Sequence, residues 1–595
     1  MGFVGLRRTE AISSVPGSLI KHRGWLHCVP SCSSIWSRDQ RMDSGQRRLA
    51  ASGKRICEAV RRRTRCKPSW LATRWQRAGS VRFERIGNTL PTNASRPCGD
   101  FDVVVVGSGF GGAVTSARLA EAGMKVLVLE RGPWWGAAGD SRPKEVTRPF
   151  PRGLTGMPGF LRGLTRANDD GQRVLWSRPT GLFDVHLWPG VTVVVGSGVG
   201  GGSLVYAGYQ SRPAAGFFDD HFPAEISDAD MTPYFEMVEA IQQPQPLPHP
   251  VASREVFARG LARADLGAAE SPVMGIQFGD PSTPRWRNNA VGNSQQTCRA
   301  CGACVIGCEY TAKTTLDHTY LTLARRHGAD IRALCEVTAI GGTDHRYEVA
   351  WHDHRDGTDH LIVTPQLVLA AGTVGTLRLL YAARDKHRSM PWLPPALGKN
   401  FSGNGDYLAM LSRTRSAKHD GRHAMFQNVH HLADGGFIGE AAPPVAQLPL
   451  PGPVRRWLSE TVFLFATGRE PGIQLLAANG VPFAPAYKAI NADFYAQTGD
   501  RVKRIAEAYQ PSRFRGNWPG GQRSRRLVTV HPVGGAAIGA TPDNGVIDHR
   551  GEVFGHRGLF IADGSIYPAA PGVPPSLGIA AMAERQAALM TGVGS

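Results

Sequence analysis

Three glycines, Gly107, Gly109 and Gly112, follow a run of four valines at 103–106 in the spacing G-x-G-x-x-G. In a strand–turn–helix elbow, the first glycine permits a tight turn, the second lets the backbone approach a pyrophosphate, and the third lets the helix pack closely on the strand. Glu130 ends the next apolar run about 20 residues later, where a carboxylate accepts hydrogen bonds from an adenosine ribose. The stretch predicts a dinucleotide site without choosing between NAD and FAD. Its predicted cofactor-binding residues are Gly107, Gly109, Phe110, Gly111, Gly112 and Glu130.

Two later stretches extend the predicted cofactor site. The glycine-rich segment 196–208 lets backbone lie against a flat ring system, and Ser203 stands where a helix aimed at the pyrophosphate or flavin begins. Asp563 ends the apolar run 559–562 ahead of a helix, where its carboxylate can hydrogen-bond a ribityl chain. This placement favours FAD over NAD. The residues predicted here, together with one expected to touch the adenine, are Gly200, Ser203, Val337, Asp563, Gly564 and Ser576.

Four cysteines have the spacing C-x2-C-x2-C-x3-C of a ferredoxin-type ligand run. Two features weaken that interpretation, because the chain has no second run and Glu309 stands where ferredoxins have proline. A zinc site and unliganded thiols are the alternatives. We therefore predict no required metal and treat the run as candidate iron–sulfur ligands. These residues are Cys298, Cys301, Cys304 and Cys308.

The elements around these motifs predict an α/β protein. A strand, glycine elbow, helix and second strand in order are typical of a doubly wound, three-layer, Rossmann-like domain that binds FAD, here interrupted by an inserted α+β substrate-binding domain. Residues 133–190 show little periodicity and are expected to form long loops. The predicted FAD-binding segments are 100–212, 331–404 and 521–595, and the predicted substrate-binding segments are 213–330 and 405–520.

The formal charge of +19 on this chain of 595 residues is concentrated at its N-terminus. Residues 1–100 hold 20 Lys and Arg against 6 Asp and Glu, so the rest of the chain is nearly neutral. No apolar segment of signal-peptide length follows the arginines, which argues against a secretory signal. We expect 1–99 to be a disordered leader or to result from a start codon assigned too early, with a targeting segment as the alternative. No nucleic-acid partner is predicted.

Cysteine usage bears on the cellular compartment. Of the ten cysteines, five lie in the basic leader and four of the others are clustered, which is unlike a disulfide framework spread over a secreted domain. No apolar run is long enough to span a membrane. A cytoplasmic location, with at most peripheral membrane contact, is the prediction.

Several motifs in one order resemble the glucose–methanol–choline (GMC) oxidoreductase family, and within it the bacterial cholesterol-oxidase-like branch. The resemblance covers about residues 100–593. Besides the elbow with Glu130, it is carried by GVGGGSLVYAG at 198–208, AKTTLD at 312–317 leading to Tyr320-Leu321, LGKNF at 397–401 with GNG at 403–405, HPVGG at 531–535 and ADGSIYPAAPGVPPSLGIAAMAER at 562–585.

The resemblance implies an enzyme with non-covalent FAD that oxidises an alcohol. His531 matches the active-site histidine of the family, and its imidazole can take the hydroxyl proton while the alcohol carbon gives a hydride to flavin N5. The implied substrate is an apolar alcohol, a sterol or other 3-hydroxysteroid, with O2 as acceptor. One alternative is a dehydrogenase of another bulky or long-chain alcohol that passes electrons to a carrier. The other is a catalytically weakened flavoprotein that binds a lipid or a partner.

One departure from the family pattern concerns the turn before the last helix. The family has G-V-N-P there, whereas this chain has Pro574 in place of the asparagine. Proline has neither a polar side chain nor an N–H, so the partner that fixes alcohol and histidine is missing. Loss of a positioned donor lowers rates by roughly 10²–10³. The catalytic glutamate of the family has no evident match within 405–520.

Overall fold

The glycine elbow belongs to a five-stranded parallel sheet. The computed structural model describes residues 100–136, 143–248, 251–416, 425–442, 451–519, 524 and 526–592, so the predictions for 1–99 lie outside the described residues. A strand in a parallel sheet is covered on both faces, which explains why all four positions of the strand 103–106 hold an apolar residue. These valines are at most 4% exposed. In spatial order the strands are Asp330–Ala333, Val126–Glu130, Val103–Val106, Gln366–Leu369 and Leu559–Ile561.

Helices pack around this sheet. The elbow helix Phe110–Glu121 contacts the C-terminal helix Ser576–Thr591, and Arg118 and Glu584 join the two through hydrogen bonds of 2.7 and 2.9 Å. The sequence predicts these helices over about 111–121 and 577–589, and the observed ends lie within two residues of those bounds. Tyr320–Arg326 contacts the elbow helix and Asp228–Gln242 contacts the C-terminal helix. Helix Gly372–Tyr381 follows the strand Gln366–Leu369 along the chain.

A three-stranded antiparallel sheet contacts two strands of the parallel sheet. Its strands are Cys335–Thr343, Arg346–Asp353 and Thr358–Thr364. The predicted α/β fold with a Rossmann-like sheet is confirmed. The assignment of segments to FAD-binding and substrate-binding domains stays a prediction.

A five-stranded antiparallel sheet, called here the aromatic sheet, is built from the second half of the chain. Its strands, in spatial order, are Phe426–His431, Phe437–Ala441, Val462–Thr467, Tyr407–Ser412 and Arg513–Arg515. Helices Arg254–Arg263 and Ala492–Ala506 contact it. Side chains alternate between the two faces of a strand, so only half of each strand can meet these helices.

The prediction of long loops over 133–190 is wrong. The segment supplies three strands of another sheet, whose order is Leu527–Thr529, Val191–Gly196, Phe183–Leu187, Leu161–Asn168 and Gly171–Ser177. The outer strand 171–177 is mostly exposed and polar or charged at several positions, so no apolar alternation marks it in the sequence. Pairing of 527–529 with 191–193 places the segment leading to His531 beside the strand leading to the glycine-rich loop.

The remaining elements are short or peripheral. In the described part of the chain, no helix is long and apolar enough to cross a membrane. The remaining helices are Gly153–Gly156, Phe217–His221, Gly452–Ser459 and Tyr487–Ile490. The remaining strands are Trp134–Trp135, Thr147–Arg148, Gln245–Pro246, Val273–Met274, Trp286–Asn288, Ser294–Gln296, Leu476–Ala478 and Val481–Phe483.

Candidate active site

The glycines of the elbow differ in what surrounds them. A Cβ added to Gly107, where φ is +98°, would lie 2.3 Å from the carbonyl oxygen of Ala370. A Cβ on Gly111 would lie 1.4 Å from the carbonyl oxygen of Ala562. At Gly109, by contrast, no other residue comes within 4 Å of the added atom. The elbow therefore packs tightly against neighbouring strands and leaves space on one side, at the start of the helix.

The third glycine of the motif supports helix packing. A Cβ on Gly112 would lie 2.1 Å from the carbonyl oxygen of Gly107, so only glycine lets the helix approach the strand this closely. Phe110 begins the helix and stays half-buried, with its ring 5.7 Å from that of Tyr206 on the glycine-rich loop. The elbow and that loop are thus neighbours.

Glu130 lies beside the elbow, as the sequence predicts. Its buried carboxylate accepts hydrogen bonds from Ser108 N at 3.1 Å, Ser108 Oγ at 2.7 Å and Gly132 N at 2.9 Å. The Ser108 hydroxyl also accepts a bond from Gly200 N at 3.1 Å. A carboxylate and two glycine segments are therefore joined by one serine that the sequence analysis did not identify.

Ser203 holds the glycine-rich loop in shape. It lies in the short 3-10 helix Gly201–Leu204, donates to Gly200 O at 2.7 Å and accepts from Leu316 N at 3.1 Å. The hydroxyl is buried and already has two protein partners. Its predicted contact with the cofactor stays a prediction.

Asp563 and Gly564 follow the last strand of the parallel sheet. The buried carboxylate of Asp563 accepts bonds from Ser565 N at 2.9 Å, Ser565 Oγ at 2.6 Å and Thr376 Oγ1 at 2.5 Å. Burial raises the pKa of Asp563. Because the strands are parallel, Gly107, Glu130 and Asp563 lie at one carboxyl edge of the sheet, where ligands bind in open α/β folds.

Two predicted cofactor residues lie elsewhere. Val337 is half-buried on the antiparallel strand Cys335–Thr343, opposite Trp351 and next to a bulge. Ser576 is the first residue of the C-terminal helix. Contact of either residue with FAD remains a prediction.

The segment of His531 is fastened to the same carboxyl edge. Gly534 N donates to Gly564 O at 2.9 Å, and Ala536 N donates to Ser565 O at 2.9 Å. Thr373 Oγ1 donates to Pro532 O at 2.6 Å. These bonds place the histidine close in space to the turn that follows Asp563.

His531 is paired with a buried aspartate. Its Nδ1 lies 2.8 Å from Asp406 Oδ1. Asp406 Oδ2 accepts bonds from Val530 N at 2.7 Å, Thr529 Oγ1 at 3.0 Å and His531 N at 3.1 Å. The carboxylate therefore holds Nδ1–H and fixes the ring, which leaves Nε2 as the proton acceptor.

The sequence analysis missed Asp406. It directly follows the segment Gly403-Asn404-Gly405, which is part of the family resemblance, so its position gave a usable signal. The pairing itself joins residues 125 apart in the chain, and no periodicity indicates such a contact.

The turn that carries Pro574 is held by Asn404. Its Nδ2 donates to Val573 O at 2.8 Å, and its Oδ1 accepts from Gly572 N at 2.9 Å. The Thr467 hydroxyl also donates to Gly572 O. Asn404 thus fixes the backbone of the turn, while Pro574 offers no donor to a substrate.

Two buried glutamates, Glu440 and Glu470, lie within the predicted substrate segment 405–520. Glu470 accepts from Ser402 Oγ at 2.8 Å and Gly403 N at 2.6 Å, and burial raises its pKa. Thr529 Oγ1 donates to Gly403 O at 2.9 Å, which links this group to the His531 segment. Of the two glutamates, Glu470 is therefore the structural candidate for the catalytic glutamate of the family, which the sequence analysis could not locate.

Glu440 belongs to a different network. It accepts from Asn428 Nδ2 at 2.5 Å and Ser253 Oγ at 2.9 Å, and burial raises its pKa to about 7. Glu440 lies opposite Leu464, so its side chain and that of Phe465 project from opposite faces of the aromatic sheet. His531 meets Phe465, with ring centroids 5.8 Å apart. Glu440 is thus separated from the histidine by the sheet.

The carboxyl edge fits the adenosine diphosphate part of FAD. Open space beside Gly109 adjoins the start of a 12-residue helix, whose first N–H groups attract phosphate. Glu130 lies at the adjacent strand end with lone pairs to accept bonds from a ribose. The four candidate cysteines come together on a cleft next to the glycine-rich loop, to which Lys313 joins it.

Comparisons with known proteins agree with this geometry. A cholesterol oxidase of Mycobacterium tuberculosis is 28% identical over 556 residues, which cover 82% of this chain and 91% of the relative. A cholesterol oxidase of Acinetobacter baumannii is 24% identical, covering 82% and 93%. A long-chain-alcohol oxidase of Arabidopsis thaliana is 25% identical, covering 80% and 65%.

A solved structure and two family models also match this chain. The solved structure of pyridoxine 4-oxidase from Mesorbium loti superposes with a TM-score of 0.53 at 16% identity, covering 82% of this chain and 99% of the other. The models of the two GMC oxidoreductase domains match residues 101–403 and 476–583. The chain belongs to the GMC oxidoreductase family, which binds FAD and acts on CH–OH groups.

Proposed function

We propose that this protein oxidises a bulky apolar alcohol, a sterol or other 3-hydroxysteroid, with non-covalent FAD as cofactor and O2 as acceptor. The observation that carries the proposal is the Asp406–His531 pair, fastened through Gly534 and Gly564 to the carboxyl edge of the parallel sheet. The pair supports the proposal because a histidine that can act as the base lies beside the edge that fits the cofactor.

The chemistry divides between cofactor and protein. FAD, when bound, supplies N5 as the acceptor of the hydride from the alcohol carbon. His531 Nε2 takes the hydroxyl proton, and Asp406 holds the opposite ring nitrogen so that the acceptor faces the substrate. The side chain of His531 is only 21% exposed, which limits competition from water.

The surroundings of His531 support an apolar substrate. Phe465 packs against its ring, and Phe437 and Phe426 continue the aromatic surface along the sheet. Tyr209, just past the glycine-rich loop, stacks on Phe437 with centroids 5.2 Å apart. Phe437, Phe426 and Tyr209 are buried against one another, so they give the histidine an apolar surrounding, which supports an apolar substrate. The names of the relatives point in the same direction, toward sterols and long-chain alcohols.

The test uses the purified full chain. We expect a flavin absorption spectrum that bleaches under anaerobic cholesterol, more rapidly than with ethanol or glucose, and hydrogen peroxide in air. A chain that holds flavin but is reduced by none of a panel of sterols and long-chain alcohols would contradict the substrate proposal.

A second candidate function is a dehydrogenase of another bulky or long-chain alcohol that passes electrons to a carrier. It is favoured by the cleft lined by four cysteines next to the glycine-rich loop. Turnover with ferricyanide but without peroxide formation in air would favour this candidate.

A further inference from the structure

Four cysteines with ferredoxin-type spacing line a single cleft. The cleft holds about 350 Å³ of space free of protein atoms, part of it open to solvent. All four thiols are free, so no disulfide removes a ligand. This cysteine cleft is defined by Cys298, Cys301, Cys304 and Cys308.

We propose that the cysteine cleft binds one iron–sulfur cluster with four iron atoms. The run has ferredoxin-type spacing, although in two-cluster ferredoxins its fourth cysteine ligates the other cluster. Here the structure brings all four residues to one cleft, so the fourth cysteine is available to the same cluster. Neither the established family activity nor the FAD site uses them.

The distances between the thiols argue for a cluster and against a single ion. One tetrahedral zinc ion with Zn–S bonds of about 2.3 Å requires sulfurs about 3.8 Å apart. No three of these four described thiols bring their sulfurs all within 4.8 Å of one another. A cluster binds each cysteine through a different iron atom, so its ligands do not have to converge on one point as the ligands of a single ion do.

Positive charge beside the cleft suits an anionic cluster. The ammonium of Lys313 is buried and donates to Cys304 O at 2.7 Å. Arg152 donates to Ile306 O at 2.8 Å and Gly307 O at 2.6 Å, within the same loop. Thiolates and sulfides carry net negative charge, and buried cations offset the cost of removing it from water.

The loop backbone is shaped to surround the cleft. Ala300 N donates to Cys298 Sγ at 3.3 Å, the type of N–H···S bond that tunes iron–sulfur clusters. Gly302 and Gly307 have φ of +69° and +94°, and a Cβ on Gly307 would lie 2.0 Å from the ring of Phe150. Glycine at 307 thus lets the chain turn between the third and fourth cysteines.

Lys313 connects the cysteine cleft to the predicted flavin side. The same ammonium donates to Leu204 O and Tyr206 O of the glycine-rich loop, both at 2.9 Å. A cluster here would lie one loop away from the cofactor edge, while Cys301 and Cys308 are partly exposed. The position suits a relay from the cofactor to the surface.

The relay rests on the second candidate function, a dehydrogenase that passes electrons to a carrier, whereas binding of the cluster does not. Oxidation of one alcohol to a carbonyl releases two electrons and two protons. The protons go to solvent, and the electrons pass singly through the cluster to two oxidised molecules of a one-electron carrier, such as a haem protein.

Metal analysis of the full chain, expressed with added iron and purified without oxygen, tests the cluster directly. We expect about four iron atoms and four acid-labile sulfides per chain, and a paramagnetic resonance signal that appears or disappears on treatment with dithionite. Zinc in place of iron, or no bound metal after anaerobic reconstitution with iron and sulfide, would overturn the proposal.

Two variants separate loss of ligands from loss of fold. Cys301→Ser should lose the iron and sulfide while retaining flavin. Cys335→Ser, at a buried cysteine outside the cleft, should retain both. Equal iron in the two variants would overturn the proposal. Since none of these readouts uses turnover, their failure is distinguishable from failure of the alcohol proposal.

Discussion

The candidate active site has two parts that are built in different ways: the elbow edge, which is the glycine elbow with Glu130, and the histidine edge, which is the Asp406–His531 pair. At the elbow, one continuous stretch supplies the glycines, the helix start and the acid, and backbone approaches within 1.4–2.3 Å of an added Cβ dictate the residue types. At the histidine, Asp406 and His531 come from segments 125 residues apart and are joined by side-chain hydrogen bonds. The local sequence specifies the geometry of the elbow, whereas the geometry of the Asp406–His531 pair depends on the assembled fold.

The largest effects should come from the elbow, where two neighbouring glycines give a matched pair. Gly111→Ala forces its Cβ onto the carbonyl of Ala562, so we expect loss of stability of about 3 kcal/mol or more, with loss of flavin. Gly109→Ala meets no protein atom and should spare the melting temperature of the apoprotein while weakening FAD binding. Thermal melting and flavin content measure both. Equal melting temperatures for the two variants would contradict the packing account.

At the histidine edge, His531→Asn should lower the rate of anaerobic flavin reduction about 10²–10⁴-fold, because the general base is lost. The asparagine amide can still donate to Asp406, so the fold and the flavin spectrum should remain. Stopped-flow absorbance measures the rate. A decrease of less than about tenfold would show that another group takes the proton.

Asp406 acts through His531, so its substitution should have a smaller effect. Asp406→Asn should lower kcat about 10–100-fold with little change in KM, since the ring loses its orienting acceptor and substrate contacts stay. Steady-state kinetics separate the two constants. If KM alone rises, Asp406 shapes the substrate surface instead of positioning the base.

The turn at Pro574 offers a gain of function. Pro574→Asn should raise kcat about tenfold, because it returns a polar donor next to the His531 segment while Asn404 continues to hold the turn. The same steady-state assay applies. Unchanged turnover would show that this chain does not need the donor, and would argue against a weakened site.

Glu440, the buried glutamate that the sheet separates from His531, should affect the pH dependence of folding stability and not the activity. The pKa of Glu440 is about 7 in the folded chain, above its unfolded value, so stability should fall as pH rises from about 4.5 to 7. Glu440→Gln should remove this loss, on the order of 1–3 kcal/mol, without lowering activity. Melting temperatures at pH 5 and pH 8 test it, with exposed Glu507→Gln as control. A pH dependence unchanged by Glu440→Gln would contradict the assignment.

Sequence patterns predicted what is local. The valine strand, the elbow helix, the C-terminal helix and the α/β fold are confirmed, because each depends on periodicity or on a continuous motif. The strands within 133–190 were missed; in strand 171–177, for example, the apolar residues are consecutive and exposed, so no apolar alternation marks it. Asp406, Ser108 and Asn404 were missed as site residues because their roles depend on partners distant in the chain.

A crystal structure of the chain with FAD bound would test the central claim most directly. The account predicts that the flavin N5 and His531 Nε2 border one cavity, close enough for a single alcohol to contact both, with Asp406 still bonded to Nδ1. A flavin ring outside the reach of that imidazole, or an Asp406 turned away from it, would contradict the account.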